Sequence, residues 1–188
     1  TLGDVTTIVE QVQMGAIEMC DVENGTMANF VQECALWNLP YLFTSLEEVH
    51  KIQESDIGQN IQAQFPEIGI KHLAFNDGGF RYFTNNAHEI ASAADFKGLK
   101  FRTMQSPMIL AAYEAYGANP TPMSYTEVYS GLQLNMIEGQ ENPISAILTS
   151  KFYEVQDYLC DAQSNLYMTC TCVNPTFFAS LPEDIQQI

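Results

Sequence analysis

Only two arginines occur in the 188 residues, Arg81 and Arg102. Gly78-Gly79-Phe80 precedes the first, and Gln105 closely follows the second. A guanidinium presents a planar fork of N–H donors that fits a carboxylate two bonds at a time, and such a pair removed from water binds far more firmly than a surface contact. Either arginine can clamp an organic acid, or be solvated or matched to one of the 23 acidic residues. Gly139-Gln140-Glu141-Asn142-Pro143 offers amides that hydrogen-bond hydroxyl or carboxylate oxygens, with Pro143 keeping the backbone before it extended. The same segment also reads as a structural turn. Tyr125 can stack on a ligand or fill a core, and Glu23, just before Asn24-Gly25, is open to both a ligand-facing and a structural role.

Other chemistry finds little footing. No nucleophile elbow, zinc-binding helix, phosphate loop or dinucleotide fingerprint is present, and His50, His72 and His88 read as exposed or capping histidines. Glu47-Glu48 and Glu183-Asp184 fall in first turns of helices, where the helix dipole favours acids without any catalytic purpose. Five cysteines at irregular spacing make neither a disulfide framework nor a CxxC pair. Cys170 and Cys172 on a strand would share a face, a candidate pair for a soft metal, but small buried hydrophobes are the better reading. Asn24-Gly25-Thr26 matches a glycosylation sequon, a pattern frequent by chance. No cofactor is expected.

Composition narrows the partners. With 46% hydrophobic and 16% charged residues the chain can build a sizeable core. A net charge of −16 repels nucleic acid and anionic membrane faces. Every apolar run is interrupted well before the roughly 20 residues that span a bilayer, and Thr1-Leu2-Gly3-Asp4 lacks the look of a signal peptide.

The elements that must position these residues alternate. Helical spacing runs from Val5 to Ala16, followed by a strand over 16–20. An apolar loop over 36–43 leads to a helix capped at Ser45. A second helix ends near Pro66 and Gly69, a strand covers 70–75, Asn76-Asp77-Gly78-Gly79 reads as a turn, and a strand follows over 80–84. Then come a short helical turn at 94–98, a strand over 99–103 and a helix opening at Ser106-Pro107 and stopped by Gly117. Asn119-Pro120-Thr121-Pro122 reads as an extended connector. The helix after Ser124 places Val128, Leu132 and Met136 on one face and is closed by Gly139. A helix over 144–155, strands over 157–160 and 166–173, and a helix start at 181–184 complete the chain. The alternation predicts an α/β fold, with ligands at strand ends or in clefts.

Leu99-Lys100-Phe101-Arg102-Thr103-Met104-Gln105, the run from Tyr116 to Met123, Glu127-Val128-Tyr129, Leu132-Gln133, the run from Ile137 to Pro143 and Lys151-Phe152-Tyr153-Glu154-Val155-Gln156 closely resemble the DctP-type substrate-binding proteins of tripartite ATP-independent periplasmic (TRAP) transporters. The resemblance covers essentially the whole chain. It implies a two-lobed, periplasmic-binding-protein type II-like α/β fold with a ligand cleft between lobes, incomplete at both ends. Residues 1–78 and 168–188 would form part of one lobe and 79–167 part of the other. It further implies an extracytoplasmic, periplasmic protein that captures a small carboxylate, such as a C4-dicarboxylate or a sugar acid, delivers it to TRAP membrane subunits, and does no chemistry on it. In the family the arginine matching Arg102 forms the main salt bridge to the ligand carboxylate, Asn142 lies in the same cleft, Arg81 adds a second contact, and Gln105, Tyr125 and Glu23 tune which acid is accepted. Thr26 stands where sialic-acid-binding relatives tend to carry arginine, which counts against that ligand. A sensory module for organic acids and, more distantly, a carboxylate-processing enzyme using Glu23 or His88 as base are the competing readings.

Overall fold

The computed structural model describes residues 2–187. In chain order the elements are α1 (Val5–Gln13), β1 (Met19–Glu23), α2 (Asn24–Met27), α3 (Leu46–Glu54), α4 (Asp56–Gln62), β2 (Lys71–Phe80), β3 (Tyr82–Asn85) and β4 (Lys100–Thr103). They continue with α5 (Pro107–Ala115), β5 (Asn119–Pro122), α6 (Val128–Gln133), β6 (Gly139–Asn142), α7 (Ile144–Thr149), β7 (Tyr158–Cys160), β8 (Leu166–Val173), α8 (Pro175–Ser180) and α9 (Glu183–Gln186). The chain divides into two compact units. The first comprises Thr1–Ala35, Ser45–Asp77 and Met168–Ile188, the second Leu36–Thr44 and Gly78–Tyr167. Two of the crossings occur inside strands, at Asp77/Gly78 in β2 and at Tyr167/Met168 in β8.

The first unit is built on a sheet of order β1-β8-β2. β1 and β8 run antiparallel with Cys20 opposite Cys172, Asp21 opposite Thr171 and Val22 opposite Cys170. The period of two sends Val22, Cys170 and Cys172 into the core, while the other face carries a polar ladder. There Asn76 Nδ2 donates to Asp21 Oδ2 and to Thr171 Oγ1, both at 2.9 Å, and Thr171 Oγ1 donates to Asp21 Oδ2 at 3.0 Å. Helix α1 buries Val9 and Val12. Asn174, the N-cap of α8, accepts from Thr176 N and Phe177 N and donates to Val12 O at 2.9 Å, so one amide both starts a helix and ties it to α1. Helix α3 opens as its sequence predicts, with Ser45 Oγ accepting from Glu48 N and two acids in the first turn.

The second unit carries a mixed sheet of order β5-β4-β6-β3-β7, in which β4 lies parallel to β5 and β6 while β3 runs antiparallel to β6 and β7. One core packs Phe83, Phe96, Phe101, Ile109 and Tyr113, with Phe83 edge-on to Phe96 and Phe101. Another packs Val128, Leu132, Ile137, Ile147 and Phe152, with Tyr82 and Met123 against it. Because Tyr82 and Phe83 are successive residues of β3, these two cores lie on opposite faces of the sheet. Gly139 begins β6 because a Cβ there would sit 2.4 Å from Phe101 Cε2 and 2.7 Å from Thr84 O.

Several elements differ from their sequence readings, each for a tertiary reason. The first strand is Met19–Glu23, not 16–20. The loop expected over 36–43 begins inside a 3-10 helix, Gln32–Asn38. The Asn76–Gly79 turn does not form, since β2 runs straight through it, and Gly78 is needed where a Cβ would meet the Tyr167 ring at 2.4 Å. The Pro120/Pro122 segment is not a free connector but β5, an edge strand parallel to β4. Gly139 starts a strand and does not close a helix. Helix α6 ends at Gln133, so Met136 leaves the Val128/Leu132 face and is 60% exposed. The helix over 144–155 breaks after Thr149, with Lys151 in the left-handed region at φ 56°.

His72, expected to be exposed or capping, lies instead on β2 between Phe65 and Phe75, with ring centroids at 4.8 and 4.2 Å. Its Nε2 is buried without a hydrogen-bond partner among the described residues, and burial pulls its pKa down to about 4. Between about pH 6.5 and 4 the unfolded chain binds a proton that the folded chain refuses, so folding stability falls as pH drops through that window. Chemical denaturation of wild type and His72→Phe across pH 4–7 tests this. The wild type should lose about 2 kcal/mol more than the variant, allowing for partial exposure of the ring.

Candidate functional site

Three of the residues picked out by the sequence, Arg81, Arg102 and Asn142, gather at one end of the second unit's sheet. Parallel strands β4 and β6 end at Thr103 and Asn142, antiparallel β3 begins at Tyr82, and the register sets Tyr82 beside Asn142 and Phe83 beside Glu141. Arg81, Arg102, Thr103, Glu141 and Asn142 therefore share the carboxyl end of the parallel strands, where α/β sheets place their ligands. Ser106, which precedes α5, is close by in sequence.

Arg81 is 2% exposed. Its Nε donates to Glu141 Oε2 in a buried salt bridge, and its Nη2 donates to Glu141 O at 3.0 Å and to Asn142 Oδ1 at 3.2 Å. The Tyr167 ring lies 5.4 Å from the guanidinium carbon, close enough for a cation–π contact. From Asn142 the bonding continues in one direction. Asn142 Nδ2 donates to Gln140 Oε1 at 2.5 Å, Gln140 Nε2 to Thr84 Oγ1 at 2.8 Å, Thr84 Oγ1 to Gln156 Oε1 at 2.8 Å, and Gln156 Nε2 to Val155 O at 2.9 Å. Each link fixes the next donor, so the arginine at one end determines which way the Asn142 amide faces.

Arg102 is 4% exposed and is held differently. Its Nε and Nη2 both donate to Met123 O, at 3.0 and 2.9 Å, while Met123 N donates back to Thr103 O at 3.1 Å. One edge of the fork is thus set by the turn after β5. The Thr103 and Ser106 hydroxyls are fully buried, and neither has a hydrogen-bond partner among the described residues. The same holds for Glu141 Oε1 and the Tyr113 hydroxyl. Burial first, then the Glu141 charge beside it, push the Tyr113 phenol well above its ordinary pKa, so it stays protonated. Buried polar groups without partners are uncommon in folded proteins, and four of them occur here, on β4, on β6, just before α5 and on α5.

Gln105 is exposed beyond β4. Tyr125 is 40% exposed, with its hydroxyl 2.6 Å from Ser150 Oγ and its ring edge-on to Phe152. Glu23 belongs to the first unit, where its carboxylate accepts from Gly25 N at 2.8 Å and caps α2. Asn24 is fully buried, which removes it as a glycosylation acceptor. His50 pairs with Asp77, and His88 contacts Asp95 O. Cys170 and Cys172 do share a face, with sulfurs 3.7 Å apart, but among the described residues no cluster of side chains could hold a metal ion. Sequence reasoning misses Glu141 as the partner of Arg81, together with Thr84 and Gln156 as the links beyond Gln140; the Gln140/Asn142 spacing of two on a strand is the available signal.

The entire chain, residues 1–188, matches the model of the bacterial extracellular solute-binding protein family 7, the DctP family. The chain belongs to that family. It is 36% identical over 186 residues to a solute-binding protein of Verminephrobacter eiseniae, covering 99% of this chain and 56% of that relative. It is 34% identical over 187 residues to the 2,3-diketo-L-gulonate-binding periplasmic protein of Escherichia coli, covering 100% of this chain and 57% of the relative. It therefore spans somewhat over half the length of these DctP proteins. Among solved structures, the TRAP periplasmic solute-binding protein of Polaromonas sp. JS666 bound to D-erythronate superposes with a TM-score of 0.94 at 33% identity, covering 100% of this chain and 62% of that one. The sugar-acid-binding protein of Advenella mimigardefordensis in complex with galactonate gives a TM-score of 0.94 at 31% identity, covering 100% and 60%. The fold is that of the TRAP solute-binding proteins, an α/β fold with mixed sheets. No helix among the described residues is long and apolar enough to cross a membrane.

Replacing Glu141 by alanine would leave a guanidinium buried without its counter-charge, at a cost of about 3–5 kcal/mol. Thermal unfolding should show a large fall in midpoint for Glu141→Ala and a smaller one for Glu141→Gln, which keeps a hydrogen-bond acceptor. Equal midpoints for wild type and Glu141→Ala would contradict the pairing.

Proposed function

We propose that the protein captures a small organic acid outside the cytoplasm for uptake by TRAP membrane subunits and leaves the acid chemically unchanged. The observation that carries this reading is Arg102 in a chain of the DctP family. It is a buried guanidinium at the carboxyl end of parallel strands, oriented by Met123 O. The ligand carboxylate docks on Arg102. Asn142, oriented through Arg81, offers its amide to the same ligand, and Arg81, paired with Glu141, adds a second contact. Gln105, Tyr125 and Glu23 tune which acid is accepted. Relatives named for binding 2,3-diketo-L-gulonate and C4-dicarboxylates, and structures holding erythronate and galactonate, support a carboxylate as the common element.

The net charge of −16 does not oppose this. Charges farther than about 8 Å are largely screened at physiological salt, so a desolvated arginine decides the local balance. Nor is a general base needed, because capture demands only an ion pair and hydrogen bonds.

On the full-length protein, a thermal-shift screen of hydroxy acids, sugar acids and dicarboxylates should give at least one strong hit, with about 2.7 kcal/mol of added stability at a hundred times the Kd. Arg102→Ala should then lose about 3–5 kcal/mol of binding, roughly a 200- to 5000-fold rise in Kd by calorimetry. Near-native affinity in the variant would remove Arg102 from the site, and conversion of the acid during incubation would point to an enzyme.

A further inference from the structure

Four of the five cysteines, Cys20, Cys34, Cys170 and Cys172, lie in the first unit, and the capture site proposed above uses none of them. Cys20 on β1 and Cys172 on β8 are directly opposite each other in the antiparallel ladder. Two residues along, Asn174 N donates to Glu18 O at 2.9 Å, so the Cys20/Cys172 pair belongs to the hydrogen-bonded series. Such pairs hold their Cα atoms about 5.5 Å apart, inside the roughly 4.4–6.8 Å that a disulfide bridges. Alternation also puts Cys20 on the face of Val22 and Cys172 on that of Cys170, which is one and the same side of the sheet. Cys170 stands beside them with its sulfur 3.7 Å from that of Cys172. As residues i and i+2 of one strand, however, Cys170 and Cys172 have Cα atoms about 6.7 Å apart, at the limit of what a disulfide can close without bending β8.

We propose that Cys20 and Cys172 are a disulfide site, oxidised by exchange with a small-molecule or protein disulfide, with Cys170 remaining a thiol. Cys20 is the point of entry, since it is half-buried while Cys172 and Cys170 are buried. Cys20 loses its proton to solvent and attacks one sulfur of the donor RS–SR, forming a mixed disulfide and releasing RS⁻, which takes up a proton. The deprotonated Cys172 sulfur then attacks Cys20 Sγ and expels the second RS⁻, which is protonated in turn. The two cysteines lose two electrons and two protons, and the donor gains them as two RSH. Exchange needs the thiolate. The hydrogen bond from its partner and burial both push the Cys20 thiol up, so the oxidation is slow. Once made, the bond joins β1 to β8 and closes a loop that contains all of the second unit's residues.

The test uses the full-length protein incubated with oxidised glutathione, then unfolded, alkylated and digested without reductant for mass spectrometry. The expected product is a peptide pair linked through Cys20 and Cys172, with a thermal midpoint several degrees above that of the dithiothreitol-treated sample. Cys170→Ser should give the same link, while Cys20→Ser and Cys172→Ser should each abolish both the link and the shift. Complete alkylation of every cysteine after oxidation would overturn the proposal, as would a bond between Cys170 and Cys172 or between molecules. If Cys172→Ser fails to fold, Cys20→Ser at the half-buried partner tests the same bond. Ligand affinity measured on the same samples reports on the capture site separately, so failure of one reading is not failure of the other.

Discussion

A guanidinium and a carboxylate shut away from water can remain charged only if they meet each other, and Arg81, just before β3, meets Glu141 on the neighbouring β6. The consequences spread along the sheet. Glu141 must point to the face that also holds Phe83, so Gln140 and Asn142 must point to the other, where Tyr82 and Thr84 lie. The Arg81 fork then determines the orientation of the Asn142 amide, and the remaining amides follow down to Val155 O. A shift of β6 by one residue against β3 would turn the carboxylate away from its partner and turn Gln140 into the aromatic core, so the ion pair also fixes the register.

How much of this can be read from the chain depends on how far apart the interacting residues lie. Ser45 capping α3, the strand over Leu166–Val173 and the helix opening at Pro107 rest on neighbours within a few residues, and the structure has them where local chemistry puts them. Gly78 and Gly139 are legible as glycines but not in purpose. Their small size answers to Tyr167 and Phe101, far off in sequence, so composition alone suggests a turn and a helix stop where strands run. Likewise Asn119–Pro122 is extended in the sequence reading and in the fold, but only the fold supplies β4 as its neighbour. His72 sits between Lys71 and Leu73 and reads as exposed, yet Phe65 and Phe75 enclose it.

Within the candidate site the same division holds. The scarcity of arginine singles out Arg81 and Arg102, and the motif around them carries the family resemblance. What neither can reveal is that the two arginines are held differently. Arg81 is paired with an acid 60 residues away, whereas Nε and Nη2 of Arg102 donate to the Met123 carbonyl.

The edge strand β5 has a further consequence. Asn119 N and Met123 N, at either end of β5, turn toward β4 and donate to Leu99 O and Thr103 O. By alternation the N–H groups at positions 120 and 122 would face away from the sheet, and both of those residues are proline. The outer rim of this sheet therefore has no donors at those positions to offer to a stray strand. At high protein concentration that rim offers a poor seed for stacking one molecule on the next, and the prolines that look like a mere spacer keep the sheet from growing along β5.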